Sequence, residues 1–186
     1  EYGRQFIELT RKYSELFKKG GQPAGPAGPH SNAKSVAIQL GETNQEGGLS
    51  QVENDDGQTT AVRLAGHEAR VLKRGPRPSR YVYFKVDDSF KWTNSMGVML
   101  RLEYFDAAAG SLAVEFDGSD SSAPFNGAYT RCAKTVPLTG SRTWKTGEFR
   151  LTGARFLNSQ NRGADFRLAV DAPEIGFREV TLSRAR

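Results

Sequence analysis

Val98–Phe116 reads VMLRLEYFDAAAGSLAVEF, two alternating runs around a break of small residues. Val98, Leu100, Leu102 and Tyr104 fall on one side of an extended chain, and Met99, Arg101, Glu103 and Phe105 on the other. Leu112, Val114 and Phe116 repeat the pattern against Ala113, Glu115 and Asp117. A period of two is that of a half-buried strand, because successive side chains of extended backbone point to opposite faces. The segment Asp106 to Gly110, DAAAG, reads as the hairpin between them.

Eight further runs rich in β-branched and aromatic residues flank this pair, cut by Gly, Asn, Asp and Pro. They are Val36–Leu40, Thr59–Leu64, Ala69–Lys73, Tyr81–Val86, Thr130–Pro137, Thr143–Leu151, Ala164–Val170 and Phe177–Ser183. Ten short strands without a long intervening helix predict an all-β domain. Its expected form is a two-sheet antiparallel, jelly-roll-like β-sandwich over residues 35–186. Trp144, followed by Phe149 and Leu151, is expected in its core.

Residues 4–19 carry the one persuasive helix, with Phe6, Leu9, Tyr13, Leu16 and Phe17 at spacings of three and four and Gly20-Gly21 as the stop. Residues 1–20 are therefore read as an amphipathic helix closing a preceding domain, and residues 21–34, rich in Gly and Pro, as a semi-rigid linker. A chain that starts at Glu1 without Met reads as a mature product or, the preferred reading, as a piece of something longer.

The 186 residues carry a formal charge of +5, of which residues 36–186 hold only +2. That is too little for a basic stripe on the folded domain, so no nucleic-acid partner is expected. No apolar run approaches a membrane span, so no membrane partner is expected either. One cysteine, Cys132, excludes an intrachain disulfide, and two histidines leave little material for a histidine-based centre. No G-x-S-x-G, P-loop, H-E-x-x-H or G-x-G-x-x-G motif is present, so catalysis has no sequence support.

Successive connections of an antiparallel sandwich fall at alternate ends. Parity places loops 87–96, 117–129 and 153–163 together, and 74–80, 106–110, 138–142 and 171–176 opposite. The first set is long and holds aromatics and amides, the residue types that a sugar, with its C–H faces and hydroxyl rims, calls for. Trp92, Tyr129, Asn158, Gln160, Asn161 and Arg162 are the candidate contacts. Trp92 is read equally as a platform or as a plug of the core. Asn158, Gln160 and Asn161 could also cap a helical turn at residues 153–157, and Asp165 is expected to share a face with Arg167 and pair with it.

Glu53–Gly57 fails the calcium-loop spacing. An irregular structural calcium ion at Asp55, Asp56, Asp87 and Asp88 is the remaining metal site, with water-facing Asx turns as the preferred reading; no cofactor is required. Arg70, Lys73, Arg74, Arg77, Arg80 and Lys85 form a basic run that would serve a uronate or sulfated polymer, whereas the acid-balanced Trp92 end would prefer neutral glycans.

At YVYFKVDDSF (81–90), LRLEYFD (100–106), LAVEFDGSD (112–120), TWKTGEFRLTGARF (143–156) and NSQNRGADFRL (158–168) the chain resembles the galactose-binding-like β-sandwich domains appended to bacterial polysaccharide-degrading enzymes. The resemblance spans residues 36–186. It implies a non-catalytic, monomeric carbohydrate-binding module, secreted or periplasmic, whose partners are a polysaccharide and a covalently linked glycoside hydrolase or lyase, often with a structural calcium. The alternatives are a structural domain bracing that enzyme, and a jelly-roll lyase using a Tyr with an Arg or His.

Overall fold

A computed structural model describes residues 27–74, 78–91 and 95–185. The helix expected at 4–19 and most of the linker lie outside the described residues. Twelve strands run in chain order: β1 (Ser35–Gln39), β2 (Gln45–Gly47), β3 (Leu49–Val52), β4 (Thr59–Leu64), β5 (His67–Leu72), β6 (Tyr81–Val86), β7 (Met96–Phe105), β8 (Ala109–Phe116), β9 (Thr130–Thr139), β10 (Trp144–Ala154), β11 (Phe166–Asp171) and β12 (Gly176–Arg184). All ten expected strands are present. The two extra ones, β2 and β3, were hidden by polar sequences, QEG and LSQV, that carry no apolar alternation.

The strands form two antiparallel sheets. One has the order β10-β7-β12-β1-β2, with β5 continuing beside β12 where β1 leaves off and β4 beyond it. The other has the order β3-β6-β11-β8-β9. Between them lie the inward residues of every alternating run: Val98, Leu100, Leu102, Phe149, Val180 and Leu182 from the first sheet, and Val82, Phe84, Val114, Phe166 and Leu168 from the second, all buried. Phe84 and Phe166 stack with ring centroids 5.1 Å apart. Each such side chain contributes about 1.5–3 kcal/mol by leaving water, which is why alternation predicted the core well. Trp144 is a correction: it shares the parity of exposed Thr146 and Glu148, opposite to buried Phe149 and Leu151. It therefore sits half-buried on the outer face, 5.4 Å from Phe105 and 5.9 Å from His67.

DAAAG is not a hairpin. β7 belongs to the first sheet and β8 to the second, so the segment carries the chain across the sandwich. A strand with one buried face alternates identically whether its successor pairs with it or faces it, and periodicity could not separate the two. Asp106 makes the crossing. Its fully buried carboxylate accepts hydrogen bonds from the backbone N–H of Thr139, Gly140 and Ser141 at 3.1–3.3 Å, from the Thr139 and Ser141 hydroxyls, and from Lys145 Nζ at 2.6 Å. The β9–β10 connection, the neighbouring crossing, is thereby tied to the first. Burial works against this charge, but Lys145, Thr139 and the two N–H groups outweigh it and hold the carboxyl well below the usual carboxylate range.

Replacing Asp106 by Ala removes the acceptor of three backbone N–H groups, two hydroxyls and Lys145, so Asp106→Ala should lose about 3 kcal/mol of unfolding free energy in urea titrations. Because the folded-state pKa is depressed, the contribution of Asp106 is complete above the unfolded value of about 3.9. It fades as pH falls below that value toward the folded one. The gap between wild type and Asp106→Ala should accordingly narrow in acid; a gap constant from pH 7 to pH 2 would contradict the assignment.

Candidate functional site

Loops 86–91, 117–129 and 153–165 gather at one end, as parity required, and two more buried aspartates fasten them. Asp117 Oδ2 accepts from the N–H of Leu157 at 2.7 Å and of Ser159 at 3.2 Å, while Asp117 N–H donates to the Asp165 carbonyl at 2.8 Å. Asp165 accepts from the N–H of Val86 at 2.8 Å and of Asn158 at 3.0 Å and pairs with Lys91 at 2.9 Å. Burial nevertheless pushes the Asp165 carboxyl up, with Lys91 and the two N–H groups opposing. The expected Asp165–Arg167 pair is thus corrected: Asp165 lies ahead of β11, turned under the loops, and Arg167 pairs with Glu115 at 2.6 Å. Residues 153–157 also form no helical turn. β10 runs through a bulge to Ala154, and Phe156 and Asn158 follow with left-handed backbone.

The candidate contacts separate accordingly. Trp92 lies outside the described residues. Gln160 is buried, its amide donating to the carbonyls of Ala128 and Glu115 at 2.7 and 3.2 Å, so it braces the loops. Asn158 is enmeshed with Lys91 and Asp88 at 2.6 and 3.3 Å. Arg162 is exposed within a short 3-10 turn, Asn161–Gly163, on left-handed backbone. Tyr129 and Asn161 do meet: the Tyr129 hydroxyl donates to Asn161 Oδ1 at 3.0 Å and accepts from Asn161 N–H at 3.2 Å. Of the aspartates proposed for calcium, Asp56 accepts from the Tyr83 hydroxyl, Asp87 from Ser89, and Asp88 from Lys91 and Asn158; Asp55 is exposed. Among the described residues, no three His, Cys, Asp or Glu side chains stand close enough to share a metal ion.

Around Tyr129 and Asn161 the structure assembles a site that sequence reading missed. Cross-strand register sets Tyr83, Arg167, Glu115 and Arg131 in one row over β6, β11, β8 and β9. The Arg167 guanidinium donates to Tyr83 Oη at 2.7 Å and to Glu115 Oε2 at 2.6–2.7 Å, and lies 3.7 Å from the Tyr81 ring centre and 4.2 Å from that of Tyr129. Glu115 Oε1 faces Arg131 at 3.2 Å. Burial pushes the Tyr83 phenol up to about 12, Arg167 opposing. Stacking between two rings and ion pairing fix Arg167 as a rigid support.

Above this row stands Phe125, 82% exposed, its ring 5.6 Å from that of Tyr129 at an interplanar angle of 69°. Phe125 (φ 54°) and Asn126 (φ 57°) both have left-handed backbone, rare for a bulky residue, and Gly127 (φ 96°) follows. Phe125, Tyr129, Pro124, Asn161, Glu115 and Arg167 line a hollow of about 280 Å³. The clue in sequence was YVYF at 81–84, whose tyrosines must face outward if Val82 and Phe84 face in. Its partners on β8, β9 and β11 required the strand order.

No protein-family model and no curated protein matches the sequence. Among solved structures the chain is similar to the C-terminal family 6 carbohydrate-binding module of a marine laminarinase from Zobellia galactanivorans, with 9% identity over 81% of this chain and 99% of that one and a TM-score of 0.43. It is similar to the cleaved adhesin domain of Lys-gingipain from Porphyromonas gingivalis, with 11% identity, 82% and 99% coverage and a TM-score of 0.48. A family 29 carbohydrate-binding module from Piromyces equi gives 11% identity, 80% and 88% coverage and a TM-score of 0.47.

A Cβ at Gly127 would lie 2.4 Å from the Gly118 carbonyl oxygen. Gly127→Ala should therefore displace the 118–129 loop and lower the thermal midpoint by several degrees, through clash and left-handed strain of about 1–3 kcal/mol. Phe125→Ser, at an exposed ring, should leave the midpoint unchanged within about 0.5 kcal/mol. Equal midpoints for the two variants would refute this account of the loop.

Proposed function

We propose that the domain is a non-catalytic carbohydrate-binding module whose glycan rests on the Phe125–Tyr129 corner and which holds an attached glycoside hydrolase or lyase near a polysaccharide. The observation that carries this reading is Phe125 itself. The fold spends backbone strain to hold a large aromatic ring in water, beside a second ring and a row of ordered polar groups, and such strain clusters at functional positions. An aromatic face accepts the C–H face of a pyranose, and Asn161 and the Glu115–Arg131 edge offer an amide, a carboxylate and a guanidinium to its hydroxyls. Rings inclined at 69° cannot lie flat on a crystalline surface together, so the corner suits a single chain. Through the linker such a site acts by effective concentration, with modest affinity of its own.

A neutral glycan fits the charges, because Arg167 and Arg131 share Glu115, and Asp56 meets Tyr83 below them. The lyase reading is weakened by Tyr83: a phenol pushed up to about 12 stays protonated at neutral pH, whereas a general base works best near the operating pH. The bracing reading has Leu157 in its favour, 55% exposed at the end where residues 28–31 pack on Ser89 and Arg184.

Affinity electrophoresis through a panel of neutral polysaccharides tests the proposal. Wild type should be retarded in at least one gel, with retardation lost in Phe125→Ala and little changed by sodium chloride, since only exposed charge contacts weaken with screening. Identical migration of the two proteins in every gel would remove the corner as the site and leave the bracing reading.

A further inference from the structure

At the end of the sandwich away from Phe125, residues 71–74, 78–80 and 170–175 line a cleft of about 860 Å³. Val71, Val170 and Ile175 contribute an apolar floor, and Lys73, Arg74 and Arg80 stand exposed on the rim. The basic run of the sequence is dispersed by the fold. Arg70 turns inward to Gly41, Asn44 and Thr59, and Lys85 sits at the opposite end of β6. The three rim cations differ in what holds them. Lys73 donates to Gln58 at 2.9 Å, and Arg74 donates to the Pro173 carbonyl and faces Glu174 at 3.8 Å. The Arg80 side chain has no hydrogen bond or ion pair among the described residues, yet its backbone is fixed on both sides: its N–H donates to the Asp56 carbonyl at 3.0 Å, and its carbonyl accepts from Val170 N–H at 2.9 Å. The acids on the cleft are Asp171 and Glu174. Glu174 faces Arg74, and Asp171 is the other acid of the lining.

We propose that this cleft is a second binding site, independent of the Phe125 corner, for a saccharide bearing an oxyanion, either a carboxylate or a sulfate ester, with Arg80 as the anchor. A guanidinium presents paired N–H donors that match either group, and one with no partner among the described residues forfeits no such bond on binding. The apolar floor receives the C–H face of the same sugar unit. Among the described residues the cleft carries three cations, Lys73, Arg74 and Arg80, against two acids, Asp171 and Glu174.

Isothermal titration of the full chain at low salt with polygalacturonate, dextran sulfate and neutral dextran tests the site and separates the two oxyanions. Wild type should bind at least one of the polyanions and bind dextran no more tightly through this end. Arg80→Ala should weaken that binding about tenfold. Asp171→Asn should tighten it several-fold, and Phe125→Ala should leave it unchanged. Arg80 is exposed, so Arg80→Ala should keep the wild-type melting curve and its loss of binding will not be a loss of fold. Failure of both polyanions to bind wild type, or equal affinity in wild type and Arg80→Ala, would overturn the proposal; loss of polyanion binding in Phe125→Ala would assign it to the corner instead.

Discussion

Three buried carboxylates govern how this sandwich is closed. An ionised carboxylate taken from water costs several kcal/mol unless donors surround it. Asp106, Asp117 and Asp165 are each fully buried; Asp106 draws backbone N–H groups from residues 139–141, and Asp117 and Asp165 share those of residues 157–159, Asp165 adding that of Val86. The apolar interior fixes which faces meet, but apolar packing is non-directional and leaves the connections free. The aspartates supply direction, Asp106 at one end of the sheets and Asp117 with Asp165 at the other. The candidate site inherits its rigidity from the second pair, because the loop bearing Phe125 is anchored to Asp117 through the Gly118–Gly127 backbone bond.

Much of the fold was legible because its strands alternate. Val98–Tyr104 and Leu112–Phe116 show their buried faces in the sequence, and parity sorted the long loops to one end. What escaped reading was whatever depended on pairing. The DAAAG crossing alternates on both sides as a hairpin would, and β2 and β3 are too short and polar to show a period. Trp144 was misplaced by weighing its size over its parity with Thr146 and Glu148.

The site was half legible for the same reason. Tyr129 and Asn161 lie on loops that parity brought together. Tyr81, Tyr83, Glu115, Arg131 and Arg167 come from strands that become neighbours only in the order β6-β11-β8-β9, in which chain order is scrambled. A charged residue on an exposed strand face looks like a solvated one until its cross-strand partner is known. Gln160 erred in the other direction: an amide in a long loop resembles a ligand contact, but here it is buried and its Nε2 donates to the carbonyls of Ala128 and Glu115.

Ser35 and Ser183 are direct partners at one end of the β1–β12 ladder, and beyond them Arg184 donates to the carbonyls of Ser31 and Phe90. The start of β1 and the end of β12 thus lie side by side. Tension applied between those two points would run across the ladder, loading its hydrogen bonds singly in sequence, as a zip opens, instead of all together in shear. Such a domain resists heat through its core and carboxylate ties but gives way to a pull at low force.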